Sequence, residues 1–173
     1  MRTWGEYKKS FPSKPSLFEC ARGGDLSGLA QLIQDCPNLD LEERNSSGFS
    51  ALMLSAYKGQ KDFAEALLRA GVDVESRDSI GNTVLMASSF KGNLEIIKLL
   101  LQYGADPHAT NSSGMNALDW AKMFGRTEAL KFYENSGLYS NESSSKITTM
   151  FRLFKLCLSL LAKRFKKRPP PKA

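Results

Sequence analysis

Few residues in this chain could do acid–base, nucleophilic or metal chemistry. There is one histidine, His108, and there are three cysteines, Cys20, Cys36 and Cys157. A histidine-based triad would have to be built on His108, which follows Asp106-Pro107 in a stretch that reads as an exposed loop. A structural zinc site needs a Cys/His set at short spacing, and no Cys-x-x-Cys occurs. Three cysteines at irregular spacing fit free thiols better than a disulfide framework. A phosphate-cradling Walker loop, a Gly-x-Gly-x-x-Gly fingerprint and His-Glu-x-x-His are all missing from the sequence. The expectation is therefore no catalytic residue, no metal ligand and no cofactor.

The charge pattern points to binding. The net charge is +6, but it is unevenly spread. From Lys146 to Ala173 there are nine Lys or Arg and no Asp or Glu. From Ser16 to Ser145 there are eleven basic against seventeen acidic residues. The first fifteen residues hold four basic and one acidic. An acidic body with a basic tail differs from a uniformly basic nucleic-acid binder, and no nucleic-acid module is recognisable.

The elements that position these residues follow from a repeat. Gly48, Gly81 and Gly114 lie thirty-three residues apart, as do Gly59, Gly92 and Gly125, and likewise Gly71, Gly104 and Gly137. Leu94, Ile97, Leu100 and Leu101 recur at helical spacing, as do Phe63, Ala66, Leu67 and Leu68. Small residues mark the preceding helix of each unit: Cys20 and Ala21, Ser55 and Ala56, Ser88 and Ser89, then Ala121. They allow close helix approach, and glycine after each second helix suits a left-handed cap. The pattern resembles the ankyrin repeat, best at Leu99-Leu100-Leu101-Gln102-Tyr103-Gly104-Ala105-Asp106. The resemblance covers residues 16–138 and implies an all-α ankyrin-repeat solenoid of units 16–45, 46–78, 79–111 and 112–138. The first and last units would be imperfect caps. The usual Thr-Pro-Leu-His becomes Ser-Ala-Leu-Met at Ser50 to Met53, Thr-Val-Leu-Met at Thr83 to Met86 and Asn-Ala-Leu-Asp at Asn116 to Asp119. The histidine-based bonds of such junctions are thus missing, and methionine fills that space.

What the resemblance implies about function is a non-catalytic scaffold that holds another protein on its concave face. Carried over by register, the contact positions are hairpin-tip residues Phe49, Ile80 and Met115, and the helix-end residues Tyr57, Lys58, Phe90, Lys91, Met123 and Phe124. Aromatic and Met side chains supply large contact areas at interfaces. The closest likeness is to small bacterial ankyrin proteins, judging by Ser-Ala-Leu-Met and Ala121-Lys122-Met123-Phe124-Gly125-Arg126. Some proteins of that kind are associated with catalases and their haem supply, others are effectors delivered into host cells. Cys36-Pro37 is similar to the short Cys-Pro element of haem-responsive proteins, though a loop insertion explains it as well.

Residues 1–15 form an extension and 139–145 a serine-rich linker. The spacing then predicts a basic amphipathic helix over 146–168, ended by the Pro-rich tail 169–173. Its apolar side carries Phe151, Phe154, Leu158, Leu161 and Phe165. Its basic cluster is Lys163, Arg164, Lys166, Lys167 and Arg168. Such a helix would lie on an anionic membrane surface, dock on a partner, or fold back on the acidic array as a cap. Neither a secretory signal nor an eighteen-residue apolar run occurs, so a cytoplasmic protein, peripheral at the membrane through its tail, is expected.

Overall fold

The computed structural model describes residues 15–139. The basic helix expected over 146–168 and most of the N-terminal extension lie outside the described residues. Within them, eight helices come in four pairs. The first helices are α1 (Leu17–Gly23), α3 (Ala51–Lys58), α5 (Val84–Lys91) and α7 (Ala117–Met123). The second helices are α2 (Leu26–Asp35), α4 (Lys61–Arg69), α6 (Leu94–Gln102) and α8 (Thr127–Asn135). None of the described helices is long and apolar enough to cross a membrane.

Local sequence sets where each first helix starts and stops. Ser16, Ser50, Thr83 and Asn116 are N-caps whose side chains accept from the backbone N–H three residues on. Ser16 with Glu19, and Asn116 with Asp119, close full capping boxes. At the other end Gly59 and Gly92 cap α3 and α5 at φ of 81° and 78°, a conformation that a Cβ would strain. The glycines after the second helices, Gly71, Gly104 and Gly137, are also left-handed.

First helices stack on first helices, α1 on α3 on α5 on α7, and second on second. The small residues seen in the sequence are the reason. Cys20, Ala21, Ser55, Ala56, Ser88, Ser89 and Ala121 are all buried. The serine hydroxyls are satisfied by their own helix: Ser55 Oγ donates to the Leu52 carbonyl and Ser88 Oγ to that of Leu85. Met53 and Met86 are buried where a histidine was missing from the motif. The buried stripe of the second helices is wider than the periodicity suggested. On α6 it comprises Ile96, Ile97, Leu99 and Leu100, while Leu94 and Leu101 stay half-covered. Each second helix faces both its own first helix and its neighbours in the outer row, so two flanks are covered.

Polar residues then lock the register between units. Gln60, Asn93 and Arg126 occupy one position of three successive repeats. Gln60 donates to the Arg22 carbonyl (3.2 Å), Asn93 to that of Ala56 (2.8 Å) and Arg126 Nε to that of Phe90 (2.7 Å). These carbonyls lie in the last turns of the preceding first helices, where intrahelical donors run out, and that of Ala56 also accepts from the Gly59 N–H at 3.3 Å. In the outer loops Glu42 accepts from the Asp73 N–H (2.6 Å) and Glu75 from the Asp106 N–H (2.7 Å). At the hairpin tips Arg44 donates to the Arg77 carbonyl, and Arg77 to the Thr110 carbonyl at 3.0 Å. Asn45, Asp78 and Asn111 each gather two tip N–H groups on one side-chain oxygen. Isolated bridges Arg44–Ser50 and Arg77–Thr83 pinch the first two tips.

The last unit closes differently. His108 stands where Glu42 and Glu75 stood, and Tyr139 stands where Asp73 and Asp106 stood. Their rings meet edge to face, 5.1 Å apart, and the Tyr139 hydroxyl donates to the Pro107 carbonyl. Tyr133 is fully buried beneath, edge-on to Tyr139, with its hydroxyl 2.6 Å from Ser89 Oγ. Ser89 spends its own proton on the Leu85 carbonyl, so Tyr133 is the donor.

Two outcomes follow for stability. Asn93→Ala should cost about 1 kcal/mol in a urea melt by removing one of the two donors to the Ala56 carbonyl, which keeps the Gly59 N–H at 3.3 Å, whereas Lys98→Ala, an exposed ion-pair partner, should cost less than about 0.5 kcal/mol. Burial lifts the Tyr133 phenol to about 12, while in the unfolded chain it titrates near 10. Between these values the unfolded state has lost a proton that the native state keeps. Tyr133 therefore stabilises fully below about pH 10, and its contribution falls away as pH rises towards 12, by up to about 1.4 kcal/mol per pH unit. Comparing urea midpoints at pH 8 and pH 11.5, Tyr133→Phe should be less stable at pH 8 and less sensitive to alkali. Tyr139, also raised by burial, should leave a residual slope.

Candidate functional site

The face made by the first helices and the hairpin tips carries a groove of about 530 Å³. Its floor is Met53 and Leu54 on α3 and Met86 and Ala87 on α5. Its walls are Phe49 and Ile80 from two tips, Tyr57 and Phe90 from the ends of two helices, and Trp120 from α7. Lys58 stands at the rim. Asp78 and Asn82 also border it, but the Asp78 carboxylate is spent on the tip, accepting from the Ile80 and Asn82 N–H groups and the Asn82 amide.

The rings form a continuous chain across three repeats. Tyr57 and Phe90 are stacked within 8° at 5.8 Å. Phe90 meets Phe124 edge-on at 4.4 Å and Trp120 edge-on at 5.9 Å. Trp120 and Phe124 are stacked at 5.6 Å. Each such pair contributes about 0.5–1.5 kcal/mol beyond its area burial, so the wall is stiff before anything binds. Two cations lie against it: Lys91 Nζ is 4.7 Å from the Tyr57 centroid, and Arg126 sits 5.9 Å from that of Phe90. Tyr57, Ile80 and Phe124 nonetheless remain substantially exposed, Ile80 at 57%.

Of the contact residues expected from sequence, Phe49, Tyr57, Lys58, Ile80 and Phe90 come together in the groove. Phe124 and Lys91 join it through Phe90 and Tyr57. Met123 is half-buried and does not line it. Met115 departs from the expectation of an exposed tip residue, being only 9% exposed. Its backbone is bonded to Asn111, which accepts from the Met115 N–H and donates its own N–H to the Met115 carbonyl, both at 3.0 Å, as Asn45 does for Phe49.

Sequence reasoning missed Trp120. Strict register pointed to Met123, thirty-three residues after Phe90. The signal was one helical turn back: Trp120 and Phe124 are four apart and share a face. The Trp120 Nε1 is buried with no hydrogen-bond partner among the described residues, a loss of about 1–3 kcal/mol for an orphaned donor.

Elsewhere the described residues offer little reactive chemistry. Burial pushes the Cys20 thiol up, away from a reactive thiolate. Cys36 and His108 are exposed. No group of three or more His, Cys, Asp or Glu that could hold a metal is found among the described residues.

A family model described as ankyrin repeats, in three copies, matches residues 17–111 and 72–135. The two matches together span well over half of the chain and contain the whole groove.

Phe90→Ala, which removes the ring shared by three neighbours, should cost about 2 kcal/mol or more in a urea melt and shift Trp120 emission to longer wavelength. Lys58→Ala should change the melt by less than about 0.5 kcal/mol and leave the emission in place.

Proposed function

The chain belongs to the ankyrin-repeat family, a family of protein-interaction scaffolds that is generally non-catalytic, and from that premise we propose that the aromatic groove is where this protein holds its partner. The observation that carries the reading is the pre-stacked ring chain from Tyr57 to Phe124, left partly open beside an apolar floor. Rigid aromatics lose little entropy on binding, and a preformed pocket spares the cost of ordering. Interface energy concentrates on such residues, Trp and Tyr above all. Phe49, Tyr57, Ile80, Phe90, Trp120 and Phe124 are the binding residues of this reading, with Lys58 and Lys91 at the edge. Met115 and Met123 support the wall.

The basic segment 146–168 gives the scaffold a second attachment, to an anionic membrane surface. Its apolar face with Phe151, Phe154, Leu158, Leu161 and Phe165, and the cluster Lys163 to Arg168, suit burial in an interface with cations near headgroups. The protein would then work in the cytoplasm, partly at the membrane, with the groove facing its cargo.

One observation favours the alternative that the segment folds back on the array. Tyr139, the last described residue, is held against Pro107 and His108. It lies in register with Asp40, Asp73 and Asp106, close to the acidic loop edge that also bears Glu42 and Glu75. Acidic charge at this edge would attract the nine cations that the sequence carries over 146–173.

Flotation with anionic vesicles, run on the full chain and on a chain stopped after Ser145, separates the two. The anchor reading expects only the full chain to float, with equal melting of both. If neither floats and the shortened chain melts several degrees lower, the segment is part of the fold and the membrane reading fails.

A further inference from the structure

The groove has a charge pattern that restricts its occupant. On the outer row the lysines have carboxylate partners: Lys61 and Lys98 both reach Glu95, at 3.4 and 3.3 Å, and Lys131 reaches Glu128 at 3.4 Å. The lysines at the groove are not. Among the described residues neither Lys58 nor Lys91 has a carboxylate within 4 Å, although the body around them carries a clear acidic excess. Both occupy the last turn of a first helix, α3 and α5, where the helix C-terminus stabilises a cation without any counter-ion. Lys91 is further held over the Tyr57 ring, and Arg126 is fixed by its bond to the Phe90 carbonyl. Lys58 thus borders one apolar, aromatic channel, Lys91 and Arg126 lie against the Tyr57 and Phe90 rings of its wall, and the one carboxylate among the lining residues, Asp78, is turned into its own hairpin.

We infer that the partner presents a short acidic segment with a bulky apolar anchor: an aromatic or Leu side chain that enters between Phe49, Ile80 and Phe90, flanked by Asp or Glu that pair with Lys58 and Lys91. This inference rests on the groove being the binding site. Complementarity of charge chooses this occupant over the chain's own tail. Residues 146–173 carry nine cations and no carboxylate, so the tail would bring like charge to a rim that is already unpaired.

The test is selection of random twelve-residue peptides on the full chain at low salt. A recovered peptide is then synthesised with a fluorophore and titrated by polarisation against four proteins: wild type, Lys58→Glu/Lys91→Glu, Lys58→Arg/Lys91→Arg and Tyr57→Ser/Ile80→Ser. Tyr57→Ser gives up the stack on Phe90 and the charge reversals put anions at helix C-termini, so each variant is first melted and all four proteins are titrated at one temperature where every one is folded. The expected peptides combine an aromatic or Leu with flanking Asp or Glu. Their affinity should fall about tenfold or more in the charge-reversed protein, persist in the arginine protein, and weaken as salt rises from about 50 to 300 mM. Peptides that merely adhere to the basic tail would bind the charge-reversed protein as tightly as wild type, and that result overturns the inference. Loss of binding in Tyr57→Ser/Ile80→Ser with none in Lys58→Glu/Lys91→Glu keeps the groove but rejects the acidic partner. Unchanged binding in Tyr57→Ser/Ile80→Ser rejects the groove itself. A synthetic peptide of residues 146–168 should not compete; if it does, the groove belongs to the tail and the inference fails.

Discussion

Every described helix is too short to exist alone. The described helices run from seven to ten residues, below the roughly 12–15 residues at which an isolated helix becomes even marginal in water. Each unit must therefore borrow its stability from the next, and the borrowing has to repeat at a fixed register. The Gln60, Asn93 and Arg126 position shows how tightly this is drawn. Three different side chains serve one purpose, reaching back to a carbonyl at the end of the preceding first helix. The requirement is for a donor of the right reach, not for a particular residue.

The same stacking dictates where a binding surface can arise. First helices approach closely only because their facing positions are Ala, Ser or Cys. Bulk excluded from the inner seam is placed at the open ends of the helices, in Tyr57, Phe90 and Phe124. Rings one unit apart then fall near stacking distance, as Tyr57 and Phe90 do at 5.8 Å. The groove is thus a by-product of repeat spacing that aromatic side chains have occupied.

This explains what the sequence alone disclosed. A position whose role is fixed by the period was legible: caps, glycines, small seam residues and the aromatic column at Tyr57 and Phe90. Positions where the period ends were not. Trp120, which the sequence reading did not single out, stands in for the in-register Met123 beside Phe124, because no further unit lies beyond α8 among the described residues and the last rings need only follow the helix face. His108 and Tyr139 replace a Glu-to-N–H contact with a ring contact for the same reason. Met115 is more buried than its counterpart Phe49, although Asn111 and Asn45 hold their tips by the same pair of bonds, so its exposure is set by packing that composition does not record.

Charge obeys a similar division. On the second helices Glu95 holds two lysines, one from its own helix and one from the unit before. Exposed pairs of this kind contribute little, about 0–1 kcal/mol, but they give each of these outer-row lysines a carboxylate partner. The first helices achieve the same stability for Lys58 and Lys91 through the helix C-terminus instead. A cation stabilised by a dipole keeps its outward face unneutralised, whereas one stabilised by a carboxylate does not. The array therefore maintains, on the side that also carries its open aromatic rings, positive charge that no neighbour cancels, within a body whose overall balance is acidic. Long-range attraction of an acidic partner to so acidic a body would be weak, so recognition at this groove has to act at contact distance, where Lys58 and Lys91 lie within reach of the bound segment and screening matters least.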